Sequence, residues 1–198
     1  MNVLVVGAHP VAESFTVHVR QRAVAALRAV GHEVRITDLD AERFEARLSL
    51  AERRAHRDDP ADKPAVARYG DDLRWADALV LVYPTWWSGP PAILKGWIDR
   101  VWIEGVAYTL PPGSARVHAN LRNIRHLVVV TGHGSSRWVN LLEGQVGRLL
   151  VLRTMRVLCH PRARRRWVAM YKLDRATAAE RDRFVGRVER AMRRVPAR

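Results

Sequence analysis

The chain has 198 residues, enough for one ordinary domain, and 48% of them are hydrophobic, which excludes a disordered chain and allows a sizeable core. No apolar run reaches the roughly 20 residues of a membrane span, so no stable membrane insertion is expected; a secretory leader is not evident before Val3, and the single cysteine, Cys159, excludes an intrachain disulfide or a cysteine zinc site and points to a reducing cytoplasm. The formal charge is +14 and lopsided, with 13 basic and 14 acidic side chains in residues 1–99 against 21 and 6 in residues 100–198.

Val3-Leu4-Val5-Val6 is a continuous apolar run ending at Gly7 and reads as a first strand. Phe15, Val19, Ala23, Leu27 and Val30 fall on one helical face, with Gly31 placed to cap it. His32 to Leu39, with Val34 and Ile36 alternating, reads as a second strand. From about residue 40 to 68 the chain is polar. Ser49 and Glu52 have capping-box spacing for a short helix there, and Asp58-Asp59-Pro60 to Lys63-Pro64 is a loop. The stretch reads as an excursion within one domain spanning 1–198, not as a boundary.

Ala65 to Trp75 reads as a helix with Tyr69 and Leu73 inward, and Ala78 to Tyr83 is the clearest strand, stopped by Pro84. Pro90-Pro91 opens a helix, since a first-turn proline costs nothing there; Ile93, Leu94, Trp97, Ile98, Val101 and Trp102 give it a wide apolar face. Leu110 to Gly113 is a turn, and Leu127 to Val130 a fourth strand. Trp138, Leu141, Leu142, Val146 and Leu149 predict one further helix. A fifth strand is expected at Arg156 to His160, carrying a buried Cys159, with Trp167 to Tyr171 an extended continuation. Thr177 and Glu180 form a second capping box before a last helix with Phe184, Val188, Ala191, Met192 and Val195 inward.

Strands alternating with helices imply a parallel sheet covered on both faces. Ligands of such sheets bind beyond the C-terminal strand ends at the switch point, which selects three loops. The first, Gly7 to Thr16, leads into a helix N-terminus suited to an anion such as phosphate, with hydroxyls on Ser14 and Thr16 and a donor on His9. It has neither a dinucleotide fingerprint nor a Walker sequence; a plain strand-helix turn capped by Ser14 is the alternative. The second, Pro84 to Pro91, holds adjacent indoles Trp86 and Trp87, of which one is expected to face a cleft and stack on a flat ring. The third, Thr131 to Ser136, has glycines that let backbone amides approach a ligand. The eight histidines show no metal spacing, and Gly-x-Ser-x-Gly is absent. No nucleic-acid-binding pattern accompanies the basic second half, and only three of the chain's 34 basic residues are lysine. A solvated or anion-facing surface is therefore expected, with no nucleic-acid partner.

His9-Pro10 with Ser14-Phe15, the block Pro84 to Val101, Ala107-Tyr108 and Thr131-Gly132 together resemble the NAD(P)H quinone reductases of the flavodoxin-like fold. The resemblance runs along nearly the whole chain and is most specific in residues 84–108. It implies an α/β fold with a five-stranded parallel sheet of order 2-1-3-4-5 and helices on both faces. It also implies a tightly held flavin, FMN or FAD, and a homodimer with active sites at the interface. NAD(P)H would deliver hydride to the flavin and leave, and a quinone or similar acceptor would take its place. The resemblance assigns flavin phosphate to His9, Ser14, Phe15 and Thr16, the ring's flank to Pro84, Thr85, Trp86 and Trp87, and its polar edge to Thr131, Gly132, His133 and Gly134. Trp87 and Trp138 would meet substrate. His133 stands where the family prefers glycine, as a donor toward ring or quinone, or turned outward with only its amide used. Trp138 and Gly144 stand at the family's tyrosine and histidine positions. The alternatives are a regulatory flavoprotein docking on a membrane transporter through its basic half, and, less expected, a basic nucleic-acid-binding protein.

Overall fold

The computed structural model describes residues 1–55 and 64–196. Strands β1 (Asn2–Gly7), β2 (Glu33–Asp38), β3 (Ala78–Pro84), β6 (His126–Gly132) and β7 (Arg164–Met170) form one parallel sheet in the order β2-β1-β3-β6-β7. Strands β4 (Tyr108–Thr109) and β5 (His118–Ala119) make a separate antiparallel pair. The apolar runs of β1, β3 and β6 are buried on both faces, as central parallel strands require.

Alternate residues of each strand feed two cores. On one face Val3, Val5, Val80, Val82, Val128 and Val130 pack under α1 (Phe15–Ala29) and α7 (Ala178–Arg193). On the other, Leu4, Leu79, Leu81, Leu127 and Val129 pack under α3 (Pro64–Trp75) and α4 (Ala92–Val101). Both capping boxes form. Ser49 caps α2 (Leu50–Arg54) with Glu52 answering, and Thr177 caps α7 with Glu180. Gly31 ends α1 at φ +83°, a conformation glycine adopts without a Cβ penalty.

The polar excursion is tied down from below. Buried Arg100 of α4 donates to Glu52 from Nε at 2.9 Å, donates also to the Glu45 carbonyl, and lies 5.1 Å from the Phe44 ring. Backbone meets backbone at the same seat: a Cβ at Gly96 would stand 2.2 Å from the Ala46 carbonyl oxygen. The loop expected at Asp58 to Lys63 lies outside the described residues.

Two expectations are corrected. The fifth strand is Arg164–Met170; residues 155–158 form a 3-10 turn and Cys159 only an isolated bridge with Leu121. Cys159 is buried as expected, and burial pushes its thiol up to about 12. The run Arg156 to His160 had β-like composition, but the edge position was taken by the arginine-rich run that pairs with β6. The helix expected from Trp138 to Leu149 is two, α5 (Arg137–Leu142) and α6 (Val146–Leu149), broken at Gly144 (φ +80°) and Gln145 (φ +50°). Its five apolar residues are 43–75% exposed.

Candidate functional site

The three loops leave the C-terminal ends of neighbouring strands β1, β3 and β6 and are stitched together. Ala8 N–H donates to the Val82 carbonyl at 3.1 Å and Thr85 N–H to Gly132 at 2.8 Å. The Thr85 and Thr131 hydroxyls share a hydrogen bond of 2.8 Å. Between them lies a narrow cleft of about 10 Å³, room for about one water, lined by Phe15, Thr16, Thr131, Gly132, Leu173 and Phe184 and floored by Val82 and Val130.

In the first loop Ser14 caps α1, its hydroxyl accepting from Val17 N–H at 3.3 Å. The Phe15 and Thr16 amides, at the positive end of a 15-residue helix, make no hydrogen bond among the described residues. The His9 ring accepts from Val11 N–H through Nδ1 and sits 6.1 Å from the Trp86 ring. Beneath the loop, Arg20 pairs with Asp38 at 2.5 Å. Burial pushes the Asp38 carboxyl up, but the Arg20 hydrogen bond and charge outweigh it and hold the group below its ordinary range. Burial instead raises Asp40, whose Oδ2 has no partner.

The second loop is a tight turn: Trp86 N–H donates to Gly89 and Gly89 N–H returns the bond to Trp86, both at 3.0 Å. This closes a two-residue corner with Trp87 at φ +47° and Ser88 at +60°, the left-handed region that costs a side chain roughly 1–2 kcal/mol. Trp86 is half exposed and Trp87 fully exposed. The corner is held by Ser88, whose hydroxyl donates to Glu143 and whose carbonyl accepts from Gly147 N–H at 3.0 Å.

In the third loop the glycines make room for protein. A Cβ at Gly132 would stand 2.7 Å from Leu173 Cδ2, and one at Gly134 2.5 Å from Asp174 Oδ2. His133 adopts neither posture foreseen for it. Its amide is spent on the Met170 carbonyl at 2.8 Å, and its ring is buried, stacked on Tyr171 at 4.7 Å and 6.2 Å from Trp167. Desolvation lowers its pKa, opposed in part by nearby Asn140 and Glu143. The Asn140 amide is committed to Ser135 and Ser136, so neither imidazole nitrogen has a hydrogen-bond partner.

Of the expected site residues, His9, Ser14, Phe15, Thr16, Pro84, Thr85, Trp86, Trp87, Thr131, Gly132 and Gly134 thus stand on three adjoining loops. Of these only Phe15, Thr16, Thr131 and Gly132 line the cleft; Trp138 stands apart from it, 68% exposed on α5. Leu173 and Phe184 line the cleft and were not singled out as site residues. The only sequence signal for Phe184 was the apolar periodicity of α7, which marks it as inward without saying toward what, and Leu173, before that helix, had none. Among the described residues no cluster of three metal-ligating side chains occurs, and no helix is long and apolar enough to cross a membrane.

Comparison with known proteins agrees with the fold. The family profile described as the flavodoxin-like fold matches residues 1–150. An uncharacterised NAD(P)H oxidoreductase of Escherichia coli is 35% identical over 109 residues, 54% of this chain and 55% of that protein. A Streptococcus mutans protein, Smu.1420, superposes with a TM-score of 0.87 at 27% identity, over 98% of this chain and 100% of the other. An NAD(P)H:quinone oxidoreductase from Methanothermobacter marburgensis does so with a TM-score of 0.84 at 26% identity, over 99% of each. The match spans about half the length of the curated relatives. The chain therefore belongs to the flavodoxin-like fold family and is similar, within it, to the NAD(P)H:quinone reductases.

Proposed function

We propose that this chain is a flavin-dependent NAD(P)H oxidoreductase that reduces quinones or similar acceptors by a ping-pong cycle. The observation that carries the reading is the seat at the head of α1. Two unspent amides, Phe15 and Thr16, and the Thr16 hydroxyl stand where the loops after β1, β3 and β6 converge. The seat suits a phosphate; the gap beside it, about 10 Å³, is too small for a flat ring, which would lie instead over the second and third loops. A flavin held there would supply the hydride-carrying chemistry between NAD(P)H and the acceptor.

The protein's part is binding and orientation. The α1 amides hold the phosphate, with His9 and the Ser14 hydroxyl proton beside them. Pro84, Thr85 and Trp86 fix the ring's flank, held by the bonds to Gly132 and Thr131. Thr131, Gly132 and Gly134 present the polar edge. Trp87, on its strained corner, offers an indole to the substrate. His133 is not the charged donor in this reading, because burial disfavours its protonated form; it supports the third loop by stacking on Tyr171. The outward apolar face of Trp138, Leu141, Leu142, Val146 and Leu149 supports the homodimer, since a face of this kind calls for a cover.

Titration of the purified protein with FMN and FAD, followed by flavin fluorescence, tests the reading. Binding at micromolar concentration or tighter is expected, then bleaching by NAD(P)H and recolouring by a quinone. Thr16→Glu, placing a carboxylate on the phosphate seat, is expected to abolish binding with the circular dichroism unchanged. A protein that binds neither flavin at 100 μM (roughly 5.5 kcal/mol of binding energy) sinks the proposal.

A further inference from the structure

The open edge of the sheet lies along a groove unrelated to the cleft. β7 is an end strand, and its parallel pairing orients its backbone. The Arg164 amide and the Met170 carbonyl face β6, in bonds of 2.9 Å with Arg125 and 2.8 Å with His133. By alternation, the N–H and C=O groups of Arg165, Trp167 and Ala169 face outward. Those of Trp167 and Ala169 look into a groove of about 620 Å³ walled by α7 on one side and α5–α6 on the other. Arg137, Arg148, Arg166, Arg187, Arg190 and Arg194 line it, with no carboxylate among the lining residues. None of the six forms a salt bridge among the described residues. Arg187 donates to the outward Ala169 carbonyl at 3.2 Å, Arg166 to the Ala191 carbonyl and Arg148 to Gln145.

We propose that this edge is a docking site for an acidic, extended polypeptide segment that adds to the sheet beside β7. The inference does not rest on the flavin reading. Two features select the occupant. Edge backbone offers donors and acceptors alternately, which an extended peptide matches and a phosphate backbone, lacking donors, does not. The arginines repel the same edge of a second copy and attract carboxylates. The spacings are of the same order, within the reach of long arginine side chains. Arg187, Arg190 and Arg194 recur about 4.5 and 6 Å apart along the helix, and same-face side chains of a strand recur about every 6.8 Å. A segment with acids at alternate positions therefore sets successive carboxylates against the α7 wall.

The experiment is fluorescence anisotropy of the full chain with three labelled probes of about ten units each: a peptide in which glutamate and threonine alternate, a block peptide of equal composition with all its glutamates before its threonines, and an oligothymidine. The alternating peptide is expected to bind at least tenfold tighter than either other probe. Arg190→Glu with Arg194→Glu, both exposed, is expected to weaken it at least tenfold without change in melting temperature. Ala169→Pro, which removes one outward amide, is expected to weaken it too. Should either variant fail to fold, hydrogen exchange on the unaltered chain decides: the peptide is expected to slow exchange at the Arg165, Trp167 and Ala169 amides. Equal affinity for the two peptides, unprotected amides, or tighter binding of the oligonucleotide overturns the proposal.

Discussion

Trp87 gives the sharpest separation between a core residue and a functional one. Its indole is fully exposed and its backbone sits at φ +47°. Trp87→Ala removes no burial and leaves the left-handed corner as it is, so folding stability is expected to change by less than about 0.5 kcal/mol. A core tryptophan truncated in the same way costs about 3–5 kcal/mol. If the indole stacks on substrate, its loss removes about 0.5–1.5 kcal/mol of binding beyond area, which raises the quinone KM about two- to thirteenfold. Trp87→Gly relieves the left-handed cost of about 1–2 kcal/mol and gives the unfolded chain about 0.5–1 kcal/mol of extra freedom. The glycine variant is therefore expected to be the more stable of the two, by up to about 1.5 kcal/mol or 3–6 °C for a chain of this size. Thermal melts at two protein concentrations tenfold apart, with steady-state kinetics, check all three numbers. Concentration separates the corner's own strain from any subunit contact. A concentration-independent loss above 3 kcal/mol in Trp87→Ala, or an unchanged KM, refutes the reasoning.

Gly96→Ala is expected to destabilise by about 1–3 kcal/mol, because the new Cβ meets the Ala46 backbone and not a yielding side chain. Gly186→Ala in α7, facing only the flexible tip of Arg190 at 3.4 Å, is expected to hold or gain stability in the same denaturant melts; similar losses in both would deny the excursion its seat on α4. His133 makes a pH prediction. Its pKa is depressed on folding, so the unfolded chain takes up the proton first as pH falls below about 6.5, and stability drops with it. His133→Leu is expected to hold or raise stability at pH 7, since two unpartnered nitrogens leave the interior. It is also expected to flatten the stability–pH curve below pH 6.5 by up to about 1.4 kcal/mol per unit, with His32 and His126, which burial also depresses, left in place as a common background. Parallel curves for the two proteins contradict it.

The sheet was legible because β1, β3 and β6 are apolar on both faces and the intervening helices carry one apolar face each; strand order then follows from the fold's handedness and the resemblance. β7 was displaced because its outer half is arginine, and hydrophobicity alone points to the preceding segment instead. The break at Gly144–Gln145 was missed for a related reason. Apolar residues at helical spacing show that a face exists, not that this chain's own core covers it. Similarly, Gly132 and Gly134 suggested close approach correctly, but what approaches is Leu173 and Asp174, forty residues onward, a pairing that local pattern does not contain.

The face of the sheet shared by α1 and α7 also sets an order of events during synthesis. Strands β1 to β3 are complete by Pro84, whereas α7, which covers half of that face, ends at Arg193. At ribosomal rates of about 5–20 residues per second, Val3, Val5, Val80 and Val82 wait on the order of 5–20 s for the second half of their cover. During that interval α1 alone shields them, so an α1 weakened at its Ser14 cap exposes a nascent apolar sheet to neighbouring chains before the finished protein shows any defect.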